Sequence, residues 1–341
     1  MLNIIKMLRI LCFLILSIIF LHAKVILDDD NNKVIVPDNV ERATPLIGGF
    51  VQISAMLGNE SKVVSGSPRL PPLMKKIFPQ IKNASVSGML GASVETLIAS
   101  KTQVVFGPVG MKLDEGAKQQ LQKAGIAVVN LYVPGNTAKL KESVDKIAQI
   151  FGGQAIEKAR EFNAYFDENV HFIAKRVAKI SPKKRVLVLN LHSGNFSTIS
   201  ARDMGAEYIS IAGGINLSSQ LNDSGDFKVS KVISEEQVLV FNPDIIITNS
   251  NESLKQITKM PSFQGLKAIK NKQIFVNPSG VYLWSVRSAE GALQPLWLAK
   301  VFYPNAFKDL NIEQKTKEFY KRFYDYTLSD EELQGILHPE R

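Results

Sequence analysis

Two glutamates hold matching places in a unit that the chain builds twice. Residues 93–106 read SVETLIASKTQVVF and residues 234–247 read SEEQVLVFNPDIII, and they align without a gap 141 positions apart. Ser93 meets Ser234, Glu95 meets Glu236, and the apolar stretch 104–106 meets 245–247. Taken singly, each glutamate is a carboxylate near a helix N-terminus, favoured there by about 0.3–1 kcal/mol. Recurrence at equivalent positions points to a shared task, with Glu235 as the neighbouring alternative to Glu236. Other chemistry is thin. The chain has no HExxH, CxxC, Walker loop, dinucleotide fingerprint or G-x-S-x-G elbow. Beyond the N-terminal segment its histidines are His171, His192 and His338, too dispersed for a dense metal cluster. An exported α/β enzyme stays open as an alternative; it needs a catalytic dyad within about 3 Å, with His192 as base.

The elements that must position these residues begin with an export signal. Lys6 and Arg9 precede an apolar run from Ile10 to Leu21 and the small residue Ala23. The pattern is that of a secretory signal peptide over residues 1–23, with cleavage after Ala23 and export as the outcome. The run falls short of the roughly 20 apolar residues that span a bilayer, although an uncleaved anchor stays open. The single cysteine, Cys12, lies inside this segment, so the remainder offers no disulfide, thiolate metal site or cysteine nucleophile. Without Lys6 and Arg9 the chain carries 39 basic and 32 acidic residues, a net charge of +7. The basic residues are scattered, with SPKKR at 181–185 as the one cluster, which argues against nucleic-acid binding.

At 341 residues the chain is long enough for two lobes. The spacing predicts a β-hairpin over 24–37, then helices and strands in alternation: helices at 48–58, 71–79, from 94 and 114–125, strands at 62–67, 104–106 and 126–133. From Gln154 to Ile180 there is no glycine or proline, and Ala159, Phe162, Phe166, Ile173, Val177 and Ile180 recur at helical steps. One helix of about 27 residues, roughly 40 Å long, is expected. The α/β pattern then restarts with a strand at 185–192, a polar loop, a helix at 201–214, the second repeat, a strand at 273–278 and closing helices at 289–304 and 312–328. The expected fold is α/β, with two lobes of mainly parallel central sheet, 24–152 and 182–341, joined by a long helix at 153–181.

The signal peptide, the paired units, the central helix and GVYLWSVRSAEGALQPLWLAKVFYP at 280–304 together resemble periplasmic substrate-binding proteins of ABC importers. The type is the one that binds ferric siderophores, haem or vitamin B12, with iron(III)-chelate members most similar, and the resemblance spans nearly the whole chain after residue 23. It implies no catalysis, a rigid interlobe helix that permits modest hinge motion, and a ligand cleft between the lobes. It implies a partner as well: an inner-membrane permease with its ATPase, whose arginines receive Glu95 and Glu236. Two carboxylates on separate lobes fix orientation through charge-assisted pairing. The expected protein is monomeric, has no resident cofactor, and carries an iron(III) chelate; nickel chelate, haem and cobalamin stay open.

Such ligands are met by loops at the carboxyl ends of strands. Arg287 is the first candidate, because a guanidinium fork suits an anionic chelate. Trp284 and Tyr282 share its segment and offer rings for stacking. His192 ends a strand where one imidazole can complete a metal's coordination. Arg202, Arg69, Met89 and Tyr132 are further cleft candidates, and Trp297 reads as core.

Overall fold

Alternation along the central strands fixes the layers of the molecule. The computed structural model describes residues 23–66, 70–83, 85–86, 93–221 and 230–339. The first part contains β1 (Ala23–Leu27), β2 (Lys33–Pro37), β3 (Ala43–Pro45), α1 (Gly48–Met56), β4 (Ser65–Gly66), α2 (Pro72–Ile77), β5 (Ser85–Val86), α3 (Val94–Ala99), β6 (Val104–Gly107), α4 (Val109–Lys112), α5 (Glu115–Lys123), β7 (Ala127–Asn130) and α6 (Thr137–Phe151). After α7 (Gln154–Val177) come β8 (Arg185–Val188), β9 (Asn190–His192), β10 (Asn195–Ile199), α8 (Met204–Ile211), β11 (Ile215–Asn216), β12 (Ser230–Val232) and α9 (Glu235–Phe241). The chain closes with β13 (Ile245–Thr248), α10 (Asn251–Lys259), α11 (Lys267–Lys270), β14 (Ile274–Val276), α12 (Gln294–Phe302), α13 (Ile312–Tyr324) and α14 (Asp330–Leu337).

Two wholly parallel sheets carry the fold, in the orders β3-β6-β7 and β11-β8-β13-β14. Both are buried on two faces, as parallel sheets are. In β6, Val104 and Phe106 face one core while Val105 faces another; in β13, Ile245 and Ile247 face that same shared core while Ile246 faces a third. The shared core also takes the apolar stripe of α7, including Ala155, Ala159, Phe162, Phe166 and Ile173. Removing a buried ring such as Phe162 costs about 3–5 kcal/mol. α7 has 24 residues and ends at Val177, three short of the expected end. Gly152 and Gly153, with φ of 73° and 55°, make the reversal that lays α6 beside α7.

The repeat extends from sequence pattern to backbone, although α3 has six residues and α9 seven. Ser93 accepts a hydrogen bond from the Thr96 N–H and Ser234 from the Gln237 N–H, so both helices carry the same cap. Leu97 and Val238 are the buried counterparts that pin each helix. Lys101 and Asn242, again 141 apart, both adopt positive φ (53° and 39°) to turn helix into strand.

The expected strand 185–192 divides. Leu189 N–H donates to Ile247 O at 2.8 Å, and the chain then leaves the parallel sheet. Asn190–His192 instead joins an antiparallel sheet, β12-β10-β9. The expected polar loop thus contains a strand, β10, with Phe196 and Thr198 buried on alternate positions. Residues 1–22 of the expected signal peptide, and the candidates Arg69 and Met89, lie outside the described residues. Among the described residues no helix is long and apolar enough to cross a membrane.

Candidate functional site

The carboxyl ends of β8, β13 and β14 deliver three asparagines to one wall. Asn190 Oδ1 accepts from the Asn249 N–H at 2.8 Å and from Thr248 Oγ1 at 3.2 Å. Asn277 Nδ2 donates to Asn249 Oδ1 at 2.7 Å, and Gln294 Nε2 donates to Asn277 Oδ1 at 2.7 Å. Ser285, Thr198 and Asp203 complete the polar part of this wall, which encloses a cavity of about 110 Å³. The position is where open α/β sheets take ligands.

Beside it runs the segment 279–288, held from beneath by a buried carboxylate. Glu290 is fully buried and accepts from Tyr320 Oη, from the Val281 N–H at 3.2 Å and from the Tyr282 N–H at 2.6 Å. Gln52 of α1 links into the same network: its Nε2 donates to Tyr324 Oη at 2.6 Å and its Oε1 accepts from the Ala289 N–H at 2.8 Å. Burial pushes the Glu290 carboxyl up to about 7, against the pull of the hydrogen bonds from Tyr320, Tyr282 and Val281. Two glycines of α1 let the segment approach: a Cβ on Gly48 would lie 2.7 Å from Tyr282 Oη, and one on Gly49 would run into the Arg287 carbonyl.

Arg287 does not stand free for a ligand. It is buried, its Nη2 pairs with Asp203 Oδ2 at 2.5 Å, and its Nε donates to the Pro134 carbonyl at 2.8 Å. The guanidinium therefore ties the segment to α8's N-cap residue and to the 132–136 loop. Thr137 N–H adds a further tie between the same regions, donating to Glu207 Oε2 at 2.6 Å. Trp284 is a correction to the stacking expectation: with 0% exposure it presents no face to a ligand and belongs to the core, as Trp297 does at 7%. Tyr282 is half-buried against Gly48, and burial raises its phenol pKa.

The remaining expected residues are spread out. His192 is exposed at the end of β9, opposite Asn195 in the antiparallel pair. Arg202 is exposed on a groove shared with Gly135 and Asn136. Tyr132 is 54% exposed, with its hydroxyl on Asp30 and its N–H on Asp29, so it fastens the first hairpin. No group of three or more His, Cys, Asp or Glu is placed to hold a metal among the described residues. Glu95 and Glu236 are both exposed in the first turns of α3 and α9. Each carboxyl is held below its ordinary value by its own backbone N–H first and by the capping serine second. Both are therefore ionised at neutral pH. Sequence reasoning missed Asp203, Glu290, Gln52 and the asparagine relay, which join positions up to 272 apart.

Comparison with known proteins agrees with this architecture. Residues 49–280 match the family model described as periplasmic binding protein. A molybdate-binding protein of Haemophilus influenzae is 26% identical, with 94% of this chain and 96% of that protein covered. An iron-uptake system-binding protein of Bacillus subtilis is 22% identical over 79% of this chain and 85% of that one. A periplasmic solute-binding protein of Veillonella parvula superposes with a TM-score of 0.79 at 20% identity, covering 93% of this chain and 97% of that chain.

Proposed function

The chain belongs to the periplasmic binding protein family, a family of substrate-binding transport proteins and not enzymes, and from that premise we propose how it works. Residues 24–152 and 182–341 act as two lobes about the helix at 153–181, and a solute is captured between them. Residues 1–23 direct export. The solute is an iron(III)-siderophore or a similar metal chelate, recognised through its organic shell by hydrogen-bonding side chains such as Asn190, Asn249 and Ser285. The loaded protein docks on an inner-membrane permease with its ATPase through Glu95 and Glu236. One observation carries the docking: an ionised, exposed glutamate recurs two residues after a serine N-cap on both repeats, each of which turns into its strand through a residue of positive φ.

The iron-uptake relative supports a chelate, and the molybdate-binding relative supports a second reading in which a bare oxyanion is the cargo. Intrinsic tryptophan fluorescence separates them. Titration with a ferric catecholate is expected to change emission at micromolar concentration, and molybdate is not. A response to molybdate alone installs the oxyanion reading, and silence to ferric catecholate, haem, nickel–histidine and cobalamin removes the chelate.

A further inference from the structure

The cavity at the ends of β8, β13 and β14 holds two buried polar atoms without a hydrogen-bond partner, Thr198 Oγ1 and Gln294 Oε1. Thr198 is 1% exposed and Gln294 2%. Buried polar groups are almost always paired, so two orphans on residues that line one space mark it as a place for an occupant. The cavity's 110 Å³ is well above what one water requires and leaves room for a small polar group. Ile209, Ile247 and Leu298 form its apolar side, while Ser230 and Asn249 are exposed at its rim.

The chemistry of the wall defines the occupant. The Asn249 backbone N–H can only donate, so it fixes Asn190 with Oδ1 towards it and leaves the Nδ2 hydrogens as donors. The amides of Gln294, Asn277 and Asn249 form a relay whose two bonds survive if all three reverse together. Gln294 can thus offer either its Oε1 or its Nε2. Asp203, the one charged residue lining the cavity among the described residues, is neutralised by Arg287 and also accepts from the Gly205 N–H at 2.9 Å. The wall carries no net charge and offers both donors and acceptors.

We infer that this cavity is a subsite for a small uncharged group that both donates and accepts hydrogen bonds, such as a carboxamide or hydroxyl arm. Assigning that arm to the organic shell of a chelate rests on the function proposed above; the subsite itself does not. Acetamide is the matching probe, and acetate is its charged, acceptor-only isostere. Saturation-transfer NMR on the whole chain is expected to show acetamide bound with a millimolar dissociation constant, undisplaced by acetate or molybdate. Thr198→Val, which keeps shape and removes the hydroxyl, weakens it by about fivefold, the loss of one net hydrogen bond. Asn190→Asp, which keeps the bond from Asn249 and replaces the donors, weakens it at least as much. Circular dichroism checks both folds, and the half-exposed Asn190 carries the test if the Thr198 variant does not fold. The inference is overturned if acetamide shows no transfer, if acetate binds equally, or if both folded variants bind unchanged. A parallel ferric-catecholate titration keeps the two readings apart: acetamide binding without a catecholate response sinks the chelate alone, and the reverse sinks the subsite alone.

Discussion

Replacing Glu290 by glutamine should change how stability depends on pH. In the native state this carboxyl is fully buried and its pKa is raised by burial from the ordinary 4.5 to about 7. The folded protein therefore holds the proton more tightly than the unfolded chain does. Between those two values the native state binds more protons, so stability falls as pH rises, and the loss is complete above neutrality. Its size is about 3 kcal/mol, a large share of a typical folding free energy. Glu290→Gln carries no charge at any pH and escapes this loss. Urea unfolding of both proteins at pH 5, 6, 7 and 8, followed by circular dichroism, gives the difference directly. The variant should gain about 2.5 kcal/mol on the wild type between pH 5 and pH 8, since part of the loss already lies below pH 5, whatever the constant offset between them. A flat difference, or one of opposite slope, would refute the assignment of Glu290 as a destabilised buried carboxylate beneath the 279–288 segment.

Other substitutions have outcomes fixed by the same geometry. Arg287→Ala leaves Asp203, itself 4% exposed, as a buried charge without its partner; a loss of about 3–5 kcal/mol is expected in chemical denaturation. Gly49→Ala drives a methyl into the Arg287 carbonyl and should cost about 1–3 kcal/mol, read as a lower melting temperature. Ser234→Ala removes the cap of α9 and should cost about 1 kcal/mol, with hydrogen exchange accelerated in that helix before the rest.

Much of this fold is written locally. The repeat survives because cap, buried apolar residue and helix-to-strand turn all sit within 14 residues, and each is a short-range choice. The α7 stripe was legible for the same reason. What escaped the sequence is long-range partnership. Arg287 has the chemistry of an anion receptor, yet Asp203, 84 positions away, already occupies it. Trp284 carries no local sign that the shared core will close over it. β10 read as a loop because Gly194 precedes it and polar residues make up most of NFSTI, although burial at Phe196 and Thr198 follows a period of two. The break after Leu189 was hidden because Leu191 resumes the apolar pattern beyond Asn190, while the change of sheet is made by long-range pairing, with Asn190 held by the Asn249 N–H.

In the function proposed above, Glu95 and Glu236 hand over the captured solute without touching it. The double variant Glu95→Lys, Glu236→Lys, measured for ferric-catecholate affinity by fluorescence and for uptake in cells, tests this most directly. Affinity is expected within about twofold of wild type, because both side chains are solvent-exposed, together with loss of uptake. Unimpaired uptake, or uptake lost only in step with affinity, would contradict it.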